Sequence, residues 1–309
     1  MEANVINIPR QILQNAQLQE DIAREGFAVT PLLSPEELQA LEHIVYSQND
    51  DTDINLEDTQ IKTSFRLSAF HNDPAYRERV HQNIFALLKD KIEGLLYDYE
   101  PLVINIIDKP AGAGSIAIHQ NPSFAEEPIY KSVSVWIPLV NANKENGTLG
   151  ILRGSHDVFD GIRAPNMPNV FEPVADLLIH HYFEPLNVHK GQAVILDDSL
   201  VHWSYPNESQ ERRAAVQLIM VPRGIPHIYY YYNTLETAPK IELFEVNKTF
   251  FYDFNYQSRP SHLPKMGEIP FTYHTFDEAE MLRRVAPKNP DIYKRRPKKS
   301  WLARLLNWN

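Results

Sequence analysis

Two histidines and an asparagine have the residue types and spacing of a mononuclear metal site. His119 and Asn121 are separated by one residue near the end of a predicted strand, and His202 follows 83 residues later. Side chains two residues apart on a strand point to the same side, so a histidine from a neighbouring strand would complete one face of a metal ion. Oxygenases that use iron(II) bind it in this way, through two imidazoles and one carboxylate. The sequence therefore predicts His119, Asn121 and His202 as metal ligands.

An arginine downstream of these residues fits an anionic co-substrate. Arg213 lies 11 residues after His202, where the next predicted strand begins. A guanidinium group holds a carboxylate through a planar, two-point ion pair that lysine cannot reproduce. Neighbouring residues of a strand face opposite sides. The spacing from His202 indicates that Arg213 faces inward, whereas Arg212 is solvated.

Asn121 departs from the iron(II) pattern, in which this ligand is a carboxylate. An amide oxygen brings only a dipole to a metal dication, so the metal affinity should fall. Three explanations remain open: Asn121 binds the metal through its oxygen, another carboxylate reaches the metal, or the site has lost its metal. The candidate carboxylates nearby in sequence are Glu126, Glu127 and Asp198.

The first hundred residues predict the helices that would pack beside this site. One helix is predicted over about 18–25, and a second begins at Ser34, which forms a capping box with Glu37. The longest helix is predicted to run from Asp73 to about Tyr99, because apolar residues recur along one face.

Short strands are predicted from residue 102 onward. They cover 103–107, 115–119, 132–140, 148–152, 192–196 and 214–221. A polar, glycine-ended turn at 143–147 separates 132–140 from 148–152 and predicts a hairpin. Helices followed by many short strands favour a β-sandwich or barrel with helices packed outside.

Several motifs, taken in order, resemble the phytanoyl-CoA dioxygenase (PhyH-like) family of iron(II)- and 2-oxoglutarate-dependent oxygenases. The resemblance covers about residues 20–222 and rests on the ordered set, since each motif alone is weak. The motifs are Glu25-Gly26-Phe27-Ala28-Val29, Leu33-Ser34-Pro35-Glu36-Glu37-Leu38, His119-Gln120, Ser134-Val135-Trp136-Ile137-Pro138-Leu139, Glu145-Asn146-Gly147-Thr148, Gly154-Ser155-His156 and His202-x-Ser204-x-x-Asn207-x-Ser209-x-x-x-Arg213.

The resemblance implies a fold and a role for each matching residue. The implied fold class is mainly β with flanking helices, a double-stranded β-helix of the jelly-roll or cupin-like type. His119 and His202 would bind iron, Arg213 and Ser204 would hold 2-oxoglutarate, and Gln120 and Trp136 would line the pocket. The expected substrate contacts are Phe65, Arg66 and Phe124, beside a lid region that also contains Lys62, Phe70 and His71.

The family normally carries Asp where this chain has Asn121. Halogenating relatives of the fold carry a small residue there, and Asn is nearly as large as Asp, so halogenation is not favoured. The expected function is an iron(II)- and 2-oxoglutarate-dependent dioxygenase that oxidises, by hydroxylation, a small-molecule substrate and releases succinate and carbon dioxide. The alternative is a catalytically impaired barrel with a binding or regulatory role. An isomerase or hydrolase using another divalent ion is a weaker hypothesis, because such enzymes need no clamp at Arg213.

Composition excludes several other classes of protein. The formal net charge of −10 argues against a nucleic-acid binder. The absence of cysteine excludes disulfides, thiolate nucleophiles and cysteine-ligated metals. No signal pattern or long apolar run is present, so a cytoplasmic protein without a transmembrane segment is expected.

The chain is interpreted as one domain over residues 1–309. It comprises a helical part (1–100), a barrel core with a flap (101–285) and a basic, amphipathic tail (286–309). The tail carries a weak signal for peripheral membrane contact. The predicted partner is a small-molecule substrate, and no motif indicates the oligomeric state.

Overall fold

The structure, a computed structural model, describes residues 11–48, 65–127, 129–159, 161–234, 239–253 and 257–295. The predicted loop around Lys62 and the tail from residue 296 lie outside these ranges. None of the described helices combines the length and the apolar character needed to cross a bilayer.

Six α-helices of the described residues pack outside or between the sheets. They are α1 Ala16–Glu25, α2 Pro35–Ser47, α3 Pro74–Leu95, α4 Ala175–Leu177, α5 Phe250–Asp253 and α6 Glu278–Val285. Short 3-10 turns cover Ser68–Phe70, Ser155–Asp157, Glu172–Val174 and Pro290–Arg295, and one π-helical turn covers Leu178–Tyr182.

Helix α2 begins with the predicted capping box. The Ser34 hydroxyl accepts from the Glu37 amide at 3.2 Å, and the Glu37 carboxylate accepts from the Ser34 amide at 2.8 Å. The end of α3 differs from the prediction, because the helix stops at Leu95 rather than near Tyr99. Asp98 has a φ of 57° and turns the chain, so Tyr99 already belongs to a strand.

Thirteen strands are found in the described part of the chain, and all their pairings are antiparallel. They are β1 Phe27–Pro31, β2 Arg66–Leu67, β3 Tyr99–Lys109, β4 Ile116–His119, β5 Val133–Pro138, β6 Leu149–Ile151, β7 Glu184–Pro185, β8 Gln192–Asp197, β9 His202–Ser204, β10 Arg213–Pro222, β11 His227–Asn233, β12 Lys240–Val246 and β13 Lys265–Pro270.

The described ranges contain three sheets, and two of them build the barrel. The larger has the order β1-β8-β5-β10-β3-β2 and the smaller the order β4-β9-β6-β7. A third sheet, β11-β12-β13, follows in sequence. The predicted hairpin between 132–140 and 148–152 is wrong, because β5 pairs with β8 and β10 whereas β6 pairs with β7 and β9. The turn at 143–147 carries the chain from one sheet to the other.

Alternation along the larger sheet separates the helix-facing core from the barrel interior. Helices α1, α2 and α3 pack on one face, against residues that include Val133, Val135, Ala214, Val216 and Leu218. The residues between them, Ser134, Trp136, Arg213, Ala215 and Gln217, therefore point into the barrel. Since successive residues of an extended strand face opposite sides, the side chains of this second set are directed toward the smaller sheet.

Candidate metal centre and co-substrate site

The two predicted histidine ligands lie opposite each other on neighbouring strands. His119 ends β4 and His202 begins β9, and the two are direct partners in the antiparallel pairing. An irregularity in the register between Ile116 and His119 brings them into this position. Their ring centroids are 4.2 Å apart and their planes are inclined by 51°, so the two imidazoles are close enough to bind one metal ion.

Backbone carbonyls fix the protonation of both rings. The Nδ1 of His119 lies 2.8 Å from the Ala117 carbonyl, and the Nδ1 of His202 lies 2.8 Å from the Leu200 carbonyl. A carbonyl only accepts, so Nδ1 carries the hydrogen and Nε2 keeps its lone pair. Burial lowers the pKa of both rings, that of His202 to about 3. Two neutral imidazoles with free Nε2 atoms are suited to a metal ion.

Asn121 lies beside this pair, and its amide has a defined orientation. Its Nδ2 donates to the Asp198 carboxylate at 2.8 Å and to the Ser134 hydroxyl at 3.0 Å. Both hydrogens of Nδ2 are engaged by these two acceptors, so the amide oxygen is the donor atom that Asn121 has left to offer a metal held by His119 and His202.

The alternative carboxylates are not brought to the histidines. Glu126 is exposed. Glu127 accepts from both terminal nitrogens of Arg163, at 2.7 and 2.8 Å. Asp198 is fully buried, and burial raises its pKa to about 6, but it contacts Asn121 and Ser134. Across the described ranges, no group of three or more His, Cys, Asp or Glu side chains is arranged to hold a metal. The protein's third donor to a metal at His119 and His202 would then be the Asn121 oxygen.

Arg213 occupies the inward position expected for it. Its side chain is 1% exposed, and one terminal nitrogen donates to the Gly147 carbonyl at 2.8 Å. The same carbonyl accepts from the Ser204 hydroxyl at 3.0 Å. The other two guanidinium nitrogens are buried without a hydrogen-bond partner, and burial lowers the pKa of Arg213 to about 10. A buried cation with two free donors is suited to a carboxylate of a bound ligand. Arg212 instead pairs with Asp108 at 2.5 Å.

The predicted site residues line one cavity of about 1210 Å³, with four exceptions. The cavity wall includes His119, Gln120, Asn121, Trp136, His202, Ser204 and Arg213, together with Phe65 and Phe70 from the predicted lid region. The Trp136 ring is 5.6 Å from the Arg213 guanidinium carbon. The side chains of Arg66, His71 and Phe124 do not line it, and Lys62 lies outside the described residues. Phe124 is buried behind the wall, against Phe251.

The sequence profile of the phytanoyl-CoA dioxygenase family (PhyH) matches residues 22–215 of the chain. The chain belongs to this family. The family expected from the motifs is thereby confirmed.

Curated relatives within the PhyH family are distant. The chain is 27% identical over 173 residues to the phytanoyl-CoA dioxygenase domain-containing protein 1 homolog of Dictyostelium discoideum, which covers 53% of this chain and 59% of that protein. It is 32% identical over 117 residues to phytanoyl-CoA dioxygenase domain-containing protein 1 of Danio rerio, covering 35% of this chain and 40% of that protein. The matched region thus spans about half the length of these PhyH relatives.

A solved structure shares the fold. The non-heme alpha ketoglutarate dependent carbocyclase SnoK from nogalamycin biosynthesis superposes with a TM-score of 0.50 at 16% identity, covering 70% of this chain and 86% of that chain. This similarity confirms the double-stranded β-helix expected from the PhyH-like motifs.

The sequence did not single out several buried polar residues around the PhyH-type site. Sequence patterns assign no role to Lys109, Arg163 and Gln217, and Ser134 is only part of a motif. Each is buried or half-buried. Ser134 and Gln217 interrupt otherwise apolar strands, whereas Lys109 ends β3 next to Asp108. A polar residue at an inward position of an apolar strand is the sequence signal that could have identified such site residues.

Proposed function

We propose that the protein is an iron(II)- and 2-oxoglutarate-dependent dioxygenase that hydroxylates a small molecule. His119, His202 and the Asn121 oxygen would hold the metal. Arg213 and Ser204 would hold the distal carboxylate of 2-oxoglutarate. A bound iron(II) ion supplies the redox chemistry that couples decarboxylation of 2-oxoglutarate to succinate with transfer of one oxygen atom of dioxygen to the substrate.

The observation that carries this proposal is the placement of Arg213 in the same cavity as two neutral histidines. Its two unpartnered guanidinium nitrogens are buried, and such donors are costly unless a ligand satisfies them. His202 and Ser204 are two residues apart on β9, so their side chains point to the same side about 7 Å apart. That separation places an anion clamp and a metal ligand on one side of a strand, as a dicarboxylate that bridges them requires.

Residues of this chain hold the metal ligands and the co-substrate arginine in position. The carbonyls of Ala117 and Leu200 keep Nε2 of each histidine available, so metal binding does not wait for proton release. The Trp136 ring lies against the Arg213 guanidinium and supports its position by a cation–π contact. Arg213 and His202 are both buried at this end of the cavity, where charge-assisted contacts to a ligand are stronger than in water.

The cavity also favours a class of substrate. Its described wall contains no Asp or Glu, and the phenylalanines Phe65, Phe70, Phe159, Phe171, Phe251 and Phe276 contribute to it. Of the other cations in the wall, Arg163 is paired with Glu127 and Arg284 with Glu280. We infer a substrate with a largely apolar body and no positive charge, since no carboxylate is available to receive a cation.

Anaerobic titration of the metal-free protein with iron(II) and 2-oxoglutarate tests the proposal. A visible charge-transfer band should appear when both are bound. Arg213→Lys should weaken 2-oxoglutarate binding about tenfold or more, because a charge-assisted, two-point contact is lost. Arg212→Lys is the matched control, since Arg212 pairs with Asp108 and should leave the titration unchanged. Absence of the band, with no bound metal, would refute the proposal.

A second candidate function follows from the neutral ligand at position 121. Without a ligand carboxylate, the protein would be a barrel that binds a small molecule and performs no oxidation. In that case the wild type loses metal on dialysis, and Asn121→Asp alone creates the charge-transfer band.

A further inference from the structure

A network of hydrogen bonds around Asn121 converges on one carboxylate. The Asn121 amide donates to Asp198 at 2.8 Å and to Ser134 at 3.0 Å. The Ser134 hydroxyl donates to the same Asp198 oxygen at 2.7 Å, and Gln217 donates to Ser134 at 3.2 Å. Each hydrogen-bond donor of this network is thereby directed toward Asp198, either directly or through Ser134.

Asp198 allows only one orientation of the Asn121 amide. If the amide were turned over, its oxygen would face the carboxylate oxygen, and two acceptors would meet in a buried site without a hydrogen between them. With both N–H groups engaged, the amide oxygen is the group left to face the histidines. The carboxylate therefore determines which atom of Asn121 is presented to a metal.

No close counter-charge balances the negative charge of Asp198. Its side chain is 0% exposed, and no ion pair within 4 Å is formed by it in the described part of the chain. A buried carboxylate that lacks a counter-charge destabilises the folded protein, even when it accepts hydrogen bonds. A metal dication bound to the amide oxygen next to it would offset that cost.

We propose that Asp198 is the positioning residue of the metal centre. It fixes Asn121 so that the amide oxygen binds the metal, and it provides the negative charge from one hydrogen bond away. The ligand oxygen and the charge, which one aspartate provides in the usual iron(II) site, are divided here between two residues. This inference rests on the proposed function, because it requires a metal at His119 and His202.

Asn121→Asp would be expected to strengthen metal binding, because it introduces the usual carboxylate ligand. The role proposed for Asp198 predicts the opposite. That substitution alone would set two carboxylates against each other at hydrogen-bond distance, and the repulsion would compete with metal binding. The double variant Asn121→Asp/Asp198→Asn exchanges the two groups. The new amide at position 198 then donates to the new carboxylate at position 121, so both the charge and the hydrogen bond are retained.

The test is the affinity of the metal-free protein for Mn(II) without oxygen or substrate, measured from the electron paramagnetic resonance signal of free Mn(II). Asp198→Asn removes the negative charge and replaces one of the two acceptor oxygens by a donor, so it should lose about 10–100-fold in affinity, the usual effect of changing a group that supports a ligand. Asn121→Asp should also bind more weakly than the wild type, whereas the double variant should return to within a few-fold of it.

Asp197→Asn is the matched control. Asp197 is also a buried carboxylate, but it accepts from Ser199 rather than from Asn121. Its loss should leave Mn(II) affinity unchanged even if stability falls. Thermal denaturation of every variant separates folding from binding, and the double variant tests the proposal should Asp198→Asn fail to fold.

The outcomes separate the two proposals. Equal Mn(II) affinity of Asp198→Asn and the wild type overturns the role of Asp198 and leaves the proposed function standing. Tighter binding by Asn121→Asp alone also overturns it, because position 121 would then not be opposed by a carboxylate. A wild type that binds neither Mn(II) nor 2-oxoglutarate refutes the proposed function, and the role of Asp198 with it.

Discussion

Lys109 and Arg213 are direct partners across the β3–β10 pairing, and both side chains are buried. The Lys109 side-chain nitrogen donates to the Tyr205 carbonyl. Burial, and then the charge of Arg213, lowers the pKa of Lys109 to about 6. Two basic groups are therefore held together inside the barrel, and above pH 6 Arg213 is the one that carries the positive charge.

Lys109→Met should change how stability depends on pH. The lysine pKa is about 6 in the folded protein and 10.5 in the unfolded chain, so between these values the unfolded chain binds more protons and stability rises with pH. The contribution is up to about 1.4 kcal/mol per pH unit. Urea denaturation at pH 7, 8 and 9 should show this slope in the wild type relative to the variant. Parallel curves would mean that Lys109 is protonated in the folded protein.

Glu127→Gln should destabilise the protein through Arg163. The side chain of Glu127 is 1% exposed and that of Arg163 is 10% exposed, so the substitution leaves a buried guanidinium without its counter-charge. The free energy of unfolding should fall by about 3–5 kcal/mol, and Arg163→Met/Glu127→Leu should recover most of it. Asp291→Asn, in an exposed pair with Lys294, is the control and should change stability by less than about 1 kcal/mol. Similar losses in both single variants would contradict the argument.

Gly150→Ala should disturb the smaller sheet beside His202. A Cβ atom at Gly150 would lie 2.2 Å from Nε1 of Trp203, its partner across β6 and β9. The ring must move, so the free energy of unfolding should fall by about 1–3 kcal/mol, and Mn(II) affinity should fall with it. Gly94→Ala is the matched control, because nothing lies within 4 Å of the added atom. It should stabilise helix α3 by about 0.5–1 kcal/mol.

Two local features were predicted correctly from local signals in the sequence. The Ser34 capping box is formed within four residues. The inward position of Arg213 follows from alternation along one strand. Such features depend on neighbouring residues, so a single sequence contains what is needed to infer them.

Strand pairings and hydrogen bonds between residues that are distant in sequence could not be predicted in the same way. The turn at 143–147 predicted a hairpin, but turn residues do not specify which sheet the next strand joins. Asn121, Ser134 and Asp198 meet across separations of 13, 77 and 64 residues. Asp198 was considered as a metal ligand, and its hydrogen bond to Asn121 emerges only from the folded arrangement.

Arg213→Met should make the protein without ligands more stable and insensitive to 2-oxoglutarate. The guanidinium is buried with two nitrogens unpartnered, so an apolar side chain of similar length removes an unfavourable group while losing the bond to Gly147. In the wild type with Mn(II), 2-oxoglutarate at about 100 times its Kd should add about 2.7 kcal/mol to the free energy of unfolding. The variant should show no such gain in denaturation experiments with and without the co-substrate. A variant that is less stable than the wild type, or that still gains stability from 2-oxoglutarate, would mean that Arg213 serves the fold rather than the co-substrate.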